Sequence, residues 1–277
     1  MLGSIITGHF IEIMTLFGIV LIHELGHLLT ARSFGWSIRE VKLLPFGGVV
    51  EVEDAGGIPA KEEALVAAAG PLQNIWMALA AWGCGRLGLW DESWAAYVCQ
   101  ANLMIGLFNL APIHPLDGGK LMQAALSYLM GYYKTLLWTA RISLALSLAL
   151  TLSSFLPWLL EGKGIQLNAL IVGLFLFATN WTYNRHVPYI FYRFLMHRER
   201  LVDRVLRRGE IASPIIVSGK QSIWSVARLF RRERYHVIYM SDPGAGTLKL
   251  LPEQKIVEGC LSEKNPQRSV RELFDYG

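Results

Sequence analysis

The chain has 277 residues, 53% of them hydrophobic and 17% charged, with 26 Lys and Arg against 22 Asp and Glu for a formal net charge of +4. Soluble globular domains carry about 25% charged residues, so this composition excludes an ordinary soluble fold and predicts an α-helical polytopic membrane protein with a soluble appendage. Three scattered cysteines, Cys84, Cys99 and Cys260, lie in no metal-ligand spacing and imply no disulfide framework, and no cleavable signal peptide is evident.

Residues 1–8 read as the stub of an earlier segment, too short to span, so that either the start lies upstream or the protein lacks one span. The first apolar stretch of membrane length, about Phe10 to Phe34, contains His23-Glu24-Leu25-Gly26-His27. On a helix, positions i and i+4 share a face, so His23 and His27 can hold one metal together, and Glu24 beside them is placed to take a proton from water. Ionisable groups inside a membrane segment are costly and mark function by default.

Next comes KLLPFGGVVEVE, Lys42–Glu53, with period-two character from Val49 and a turn expected at Gly47-Gly48. It reads either as a strand edge that pairs with an extended substrate or as a surface hairpin linking two spans. A second span is expected from about Ala64 to Gly88, where Gly70-Pro71 marks a close helix contact or kink and Asn74 a packing position.

The third stretch, about Trp94 to Leu110, breaks at Pro112, Pro115 and Gly118-Gly119 and resumes to about Met130. Such a break frees backbone groups that lipid cannot satisfy, so it must line a cavity or contact protein. Asp117 sits in the break. A catalytic zinc commonly takes three protein ligands and keeps one position open, and His23, His27 and Asp117 complete that set, with His114 as the rival third ligand. Further spans are expected at about Leu136–Leu160 and Ile165–Tyr183, followed by a basic linker over 184–205. Between Arg185 and Arg234 twelve Lys and Arg stand against four Asp and Glu, which reads as a solvated face beside anionic lipid rather than a nucleic-acid site and puts the tail in the cytosol. The tail, 206–277, is expected to run strand (Ser213–Val217), helix (Ser222–Arg232), strand (Tyr235–Met240), turn at Asp242-Pro243-Gly244, and a helix starting near Pro252.

HELGH in one span, AGPLQN at Ala69–Asn74 and NLAPIHPLDGG at Asn109–Gly119 together resemble the site-2 protease family of intramembrane zinc metalloproteases. LPFGGVVEVE at Leu44–Glu53, the PLDGGK ending at Lys120 and a short tail without a PDZ module point to its sporulation branch. The resemblance implies zinc on His23, His27 and Asp117, Glu24 as general base, and Asn109 holding the substrate backbone. It tips the hairpin toward substrate pairing, which adds Phe46, Gly47, Gly48 and Pro115 to the substrate-binding candidates. It also implies five to six spans, one broken helix and one membrane-associated hairpin within a protease domain at 1–183.

Taken as strand–helix–strand–strand–helix, the tail's element order resembles a single cystathionine-beta-synthase (CBS) module. Such modules pair and bind adenine nucleotides, which implies a homo-oligomer and ATP; a small docking domain for the substrate fits the same pattern. The expected function is removal of the pro-sequence of a sigma-factor precursor of the sigma-K type, with a membrane-anchored anti-sigma factor as the alternative substrate and a non-catalytic scaffold as the third reading. The branch further implies inhibitory membrane partners and a location in the membrane surrounding the forespore.

Overall fold

The structure is a computed structural model of the chain and describes residues 10–44, 47–52, 57–198, 202, 209, 211–241, 248–262 and 267–275. The expected stub at 1–8, the candidate Phe46 and the turn at Asp242-Pro243-Gly244 lie outside the described residues. The elements run α1 (Phe10–Ser33), β1 (Ile38–Leu44), β2 (Gly47–Val52), α2 (Ala60–Arg86), α3 (Glu92–Asn109), α4 (Asp117–Leu129), α5 (Tyr132–Ser153), α6 (Leu156–Glu161) and α7 (Leu167–Met196). The tail adds β3 (Ser213–Ser218), α8 (Ile223–Ala227), β4 (His236–Ser241), β5 (Leu248–Pro252), α9 (Glu253–Ser262) and α10 (Glu272–Asp275).

Three described helices, α1, α2 and α5, are long and apolar enough to cross a bilayer, against the five spans expected. The α3 helix carries Glu92, Gln100, Asn102 and Asn109 among its 18 residues, and α7 carries Asn180, Asn184, Arg185 and His186, which lowers the apolar content of both. The α7 helix also continues through the expected linker to Met196, with Pro188 inside it. The stretch expected to span to Leu160 instead ends its helix at Ser153, and α6 follows separately.

The helix α1 has the inverted polarity of a segment solvated by lipid. From Phe10 to Leu29 its exposed side chains are apolar, with Leu29 63% and Phe17 56% accessible, whereas His23, Glu24 and His27 are buried. It ends at Ser33 because Gly35 adopts φ 74°, a left-handed conformation that costs glycine nothing and lets the Trp36 N–H return to the Ala31 carbonyl at 3.1 Å. At the start of α3, Asp91 accepts from the Ser93 and Trp94 N–H groups and so caps the helix.

The strands β1 and β2 form an antiparallel pair, with Leu44 opposite Gly47 and Leu43 opposite Gly48. The Gly47-Gly48 dipeptide therefore opens the second strand rather than forming the turn, because the connection falls one step earlier, between Leu44 and Gly47.

The chain forms two compact units: 1–53 with 61–122 and 142–177, and 54–60 with 123–141 and 178–277. In the second unit one hydrophobic core joins Leu136, Ala140, Val187, Phe191 and Leu195 of α5 and α7 to Val217, Ile223, Phe230, Ile238 and Ile256 of the tail. The border expected at residue 183 falls inside α7, and the tail packs around the end of that helix. Each fully buried Phe or Ile here stabilises by about 1.5–3 kcal/mol.

The tail shows the expected strand–helix–strand–strand–helix order, with sheet order β3-β4-β5, the first pair parallel and the second antiparallel. Its helix α8 is shorter than expected, ending at Ala227. Buried Arg198 bonds Glu253 through Nε and Nη2 at 3.1 and 2.6 Å and also donates to the Arg231 and Arg234 carbonyls. Burial pushes the Glu253 carboxyl up, but hydrogen bonding from His236 and the Arg198 charge outweigh it and hold it below its ordinary range. The three cysteines are free thiols, and burial pushes Cys260 up to about 12, which leaves it unreactive.

Candidate metal centre

The centre lies within the first unit, built from α1, α2 and the break between α3 and α4. One turn apart on α1, His23 and His27 bring their Nε2 atoms to 3.2 Å. Asp117 Oδ2 stands 3.2 Å from His23 Nε2 and 3.1 Å from His27 Nε2. All three side chains are buried. Glu24 is buried beside them, and its carboxylate lies within 4.8 Å of the ring nitrogens of both histidines.

Hydrogen bonds fix which atoms face inward. His27 Nδ1 lies 2.7 Å from the Val66 carbonyl, an obligate acceptor, so Nδ1 carries the proton and Nε2 the lone pair. His23 Nδ1 meets Asn74 Oδ1 at 2.5 Å, with the same consequence. Asp117 Oδ2 is buried and accepts no hydrogen bond. Lone pairs from two imidazoles and a carboxylate thus converge on one point, an arrangement that repels itself unless a cation sits there. Ligands about 2.0–2.2 Å from a tetrahedral zinc stand about 3.3–3.5 Å apart, close to the observed triangle. The donor set fits zinc, and Asp117 contacts both ring nitrogens, which favours it over His114 as the third donor.

The local sequence explains the geometry. Gly70 of α2 faces the histidines so closely that a Cβ on it would stand 2.6 Å from His23 Nε2. Gly26 likewise admits Gln73 and the Ala69 carbonyl, so α1 and α2 approach through small residues. Pro71, inside α2, removes one helical N–H next to this contact.

In the break, the Leu116 N–H returns to the Ile113 carbonyl at 2.9 Å, and the His114 N–H donates to Ser143 Oγ of α5 at 2.9 Å. Protein, not lipid, therefore satisfies the freed backbone. A Cβ on Gly119 would lie 2.5 Å from the His114 nitrogen, and one on Gly118 would overlap the Leu110 and Ala111 carbonyls. The glycine pair lets this turn fold onto itself and start α4 with Asp117. Lys120 Nζ stands 3.5 Å from the other carboxylate oxygen, Oδ1.

The structure thus gathers His23, Glu24, His27 and Asp117. Asn109 is buried at the end of α3, and Pro115 lies in the break after a cis His114–Pro115 bond. Gly47 and Gly48 belong to the hairpin. Sequence reasoning placed a close helix contact at Gly70-Pro71, where α2 does meet the histidines of α1, treated Asn74 as a packing residue, and missed the contacts of the Val66 carbonyl and Lys120. An amide in an apolar helix is itself a signal for Asn74; a backbone carbonyl leaves none.

The profile of peptidase family M50 matches residues 11–90. The chain is 35% identical to stage IV sporulation protein FB of Bacillus subtilis over 98% of its own length and 91% of that protein. It is 34% identical to a zinc metalloprotease of Methanocaldococcus jannaschii over 51% of this chain and 42% of that one. The solved site-2 protease from Methanocaldococcus jannaschii superposes with a TM-score of 0.50 at 28% identity, covering 65% of this chain and 82% of that one.

Proposed function

The chain belongs to peptidase family M50 and is an intramembrane zinc metalloprotease of the site-2 type; from this premise we propose that His23, His27 and Asp117 hold the zinc, that Glu24 is the general base, and that the substrate is a membrane-associated sigma-factor precursor. The observation that carries the site assignment is the triangle of His23 Nε2, His27 Nε2 and Asp117 Oδ2, with edges of 3.1–3.2 Å. Zinc, when bound, supplies Lewis acidity that lowers the pKa of water toward about 7 and polarises a carbonyl. Glu24 accepts the proton of the attacking water and returns one to the leaving amine. The buried ring nitrogens and Asp117 hold their positions through the bonds to Asn74, Val66 and Lys120.

A helical substrate shields its amides, so it must be presented as an extended strand. The two-stranded β1–β2 sheet supports that role, because among the described residues no third strand pairs with either one. We assign Phe46, Gly47, Gly48, Asn109 and Pro115 to substrate binding on that basis. The likeness to stage IV sporulation protein FB along nearly the whole chain supports a sporulation role, and with it we propose the sigma-K type of precursor, a cytosolic tail and a location around the forespore.

The tail supports a pairing role. On the outward face of its sheet the registered rows are Pro214–Val237–Pro252, Ile216–Tyr239–Leu250 and Ser218–Ser241–Leu248, with no charge among them. Such a face suits an apolar partner, and we propose that residues 206–277 join two copies as a CBS-like module that binds ATP. Nucleotide titration of the purified chain tests that part separately.

The test of the main reading is co-expression with a sigma-factor precursor, with Glu24→Gln beside the wild type. Processing by the wild type alone supports the protease and its substrate together. Zinc-loaded protein that cleaves a membrane-anchored anti-sigma factor and leaves the precursor intact overturns the sigma-factor assignment while keeping the enzyme.

A further inference from the structure

We propose that Asn102 of α3, acting through Asn74, sets the tautomer of His23 and so decides whether its Nε2 is available to a metal. The inference rests on the assignment of His23 as a ligand. Asn102 is fully buried and Asn74 nearly so, both amides on helices of the membrane domain. Amides at such positions are costly unless both ends are satisfied, and here the bonds run in one direction.

Asn102 Nδ2 donates to the Val98 carbonyl at 2.9 Å. That oxygen can only accept, so the nitrogen end of the Asn102 amide is fixed toward it. The opposite end, Oδ1, then accepts from Asn74 Nδ2 at 3.2 Å. The Asn74 amide is thereby oriented in turn, and its Oδ1 faces His23 Nδ1 at 2.5 Å. An oxygen in that place requires a proton on Nδ1 and leaves the lone pair on Nε2, the atom 3.2 Å from Asp117 Oδ2. Reversing the Asn74 amide would present an N–H to His23 Nδ1, move the ring proton to Nε2 and remove the ligand atom.

The two histidines are therefore held by different means. His27 is oriented by a backbone carbonyl one bond away, which no side-chain substitution removes. His23 depends on two side-chain amides anchored at last on the Val98 carbonyl. Asn102 touches neither metal nor substrate in this scheme; it is a positioning residue. The close approach of α3 to α2 that permits the bond runs over Gly106, where a Cβ would stand 3.2 Å from the Asn74 Cβ.

The experiment is zinc affinity of the full-length chain in detergent, read by competition with a chelating dye. Variants are Asn102→Leu, Asn102→Ala as a smaller replacement, Asn102→Asp, Asn74→Leu and the Asn74→Leu/Asn102→Leu pair. Loss of such an outer hydrogen bond weakens metal binding about 10–100-fold, and that loss is expected for Asn102→Leu and Asn102→Ala. The neutral acid of Asn102→Asp offers the same donor and acceptor, so it should restore affinity to within about threefold. The paired variant should bind no more weakly than Asn74→Leu alone, because both changes break one chain.

Wild-type affinity in Asn102→Leu or Asn102→Ala, or losses that multiply in the paired variant, would overturn the proposal. If His23→Phe bound zinc as tightly as wild type, the ligand assignment beneath it would fall instead.

Discussion

A Cβ built on Gly70 of α2 would stand 2.6 Å from Nε2 of His23 on α1 and would also press on the His27 ring. The glycine is needed for a reason unrelated to backbone freedom: a side chain here would run into both imidazoles. Gly70→Ala should raise intrinsic helix stability by about 0.5–1 kcal/mol while reducing bound zinc at least tenfold. Helix content by circular dichroism and metal content of the purified chain check the two halves, and full zinc loading would show that the site is not where these residues place it.

Glu24 is buried, and its carboxylate lies within 4.8 Å of a ring nitrogen of each histidine. Glu24→Gln keeps the shape and a hydrogen-bonding group but cannot take a proton. Turnover is expected to fall by about 10²–10⁴-fold, the usual worth of a positioned base, with zinc content unchanged. Cleavage at the wild-type rate would remove Glu24 from the mechanism.

His23→Phe and Asp117→Asn each delete one donor of a three-residue set. Both should lose zinc and activity together, in contrast to Glu24→Gln. The neutral amide of Asp117→Asn also loses its ion pair with Lys120, now 3.5 Å from Oδ1. Metal analysis after purification distinguishes the two classes of variant.

In the tail, Arg198 and Glu253 form a buried pair at 2.6 Å, with His236 at 3.2 Å from the same carboxylate oxygen. Arg198→Leu leaves that carboxylate without its guanidinium, which costs about 3–5 kcal/mol when a buried pair is broken. Faster hydrogen exchange across β4 and α9, with α1 unaffected, is the expected readout.

The same group predicts a pH response. Burial lowers His236 from its ordinary 6.5, so the folded tail keeps it neutral while an unfolded tail takes up a proton. Glu253 is also held below its ordinary 4.5. In both cases the unfolded state binds more protons, so stability falls on acidification, first as pH drops below 6.5 and again below 4.5. Hydrogen exchange of β4 at pH 7.5, about 6 and about 5 checks the sign; greater protection in acid would contradict it.

The metal motif and the spans at α1, α2 and α5 were legible because each is a local pattern. An apolar run of span length and two histidines four residues apart need no partner to be recognised. The tail's strand–helix–strand–strand–helix order was legible for the same reason. The hairpin was legible as a hairpin, but its turn was placed on Gly47-Gly48, because glycine in a strand and glycine in a turn look alike until the register is known.

The end of α7 was missed because a basic run after a span reads as a linker. Val187, Phe191 and Leu195, which hold that run helical by entering the core, lie one or two turns apart and are diluted by charge. The roles of Asn74 and Asn102 were beyond sequence reasoning for a related cause, whereas Gly70 was legible as a close helix contact but not as one against the histidines. Each acts across a helix contact, where neighbours 28 and 51 positions apart in the chain meet.

By itself, then, the sequence determined a membrane-embedded HExxH helix, a broken helix bearing Asp117 and a small mixed tail, since periodicity and chemistry act over a few residues. Only the tertiary structure decided that Asp117 reaches both histidines, that Gly70 lies against them and that two amides hold one ring. Those facts depend on how closely three helices pack, and in a lipid-facing bundle that distance is set by small side chains and hydrogen bonds between helices rather than by any pattern along one of them.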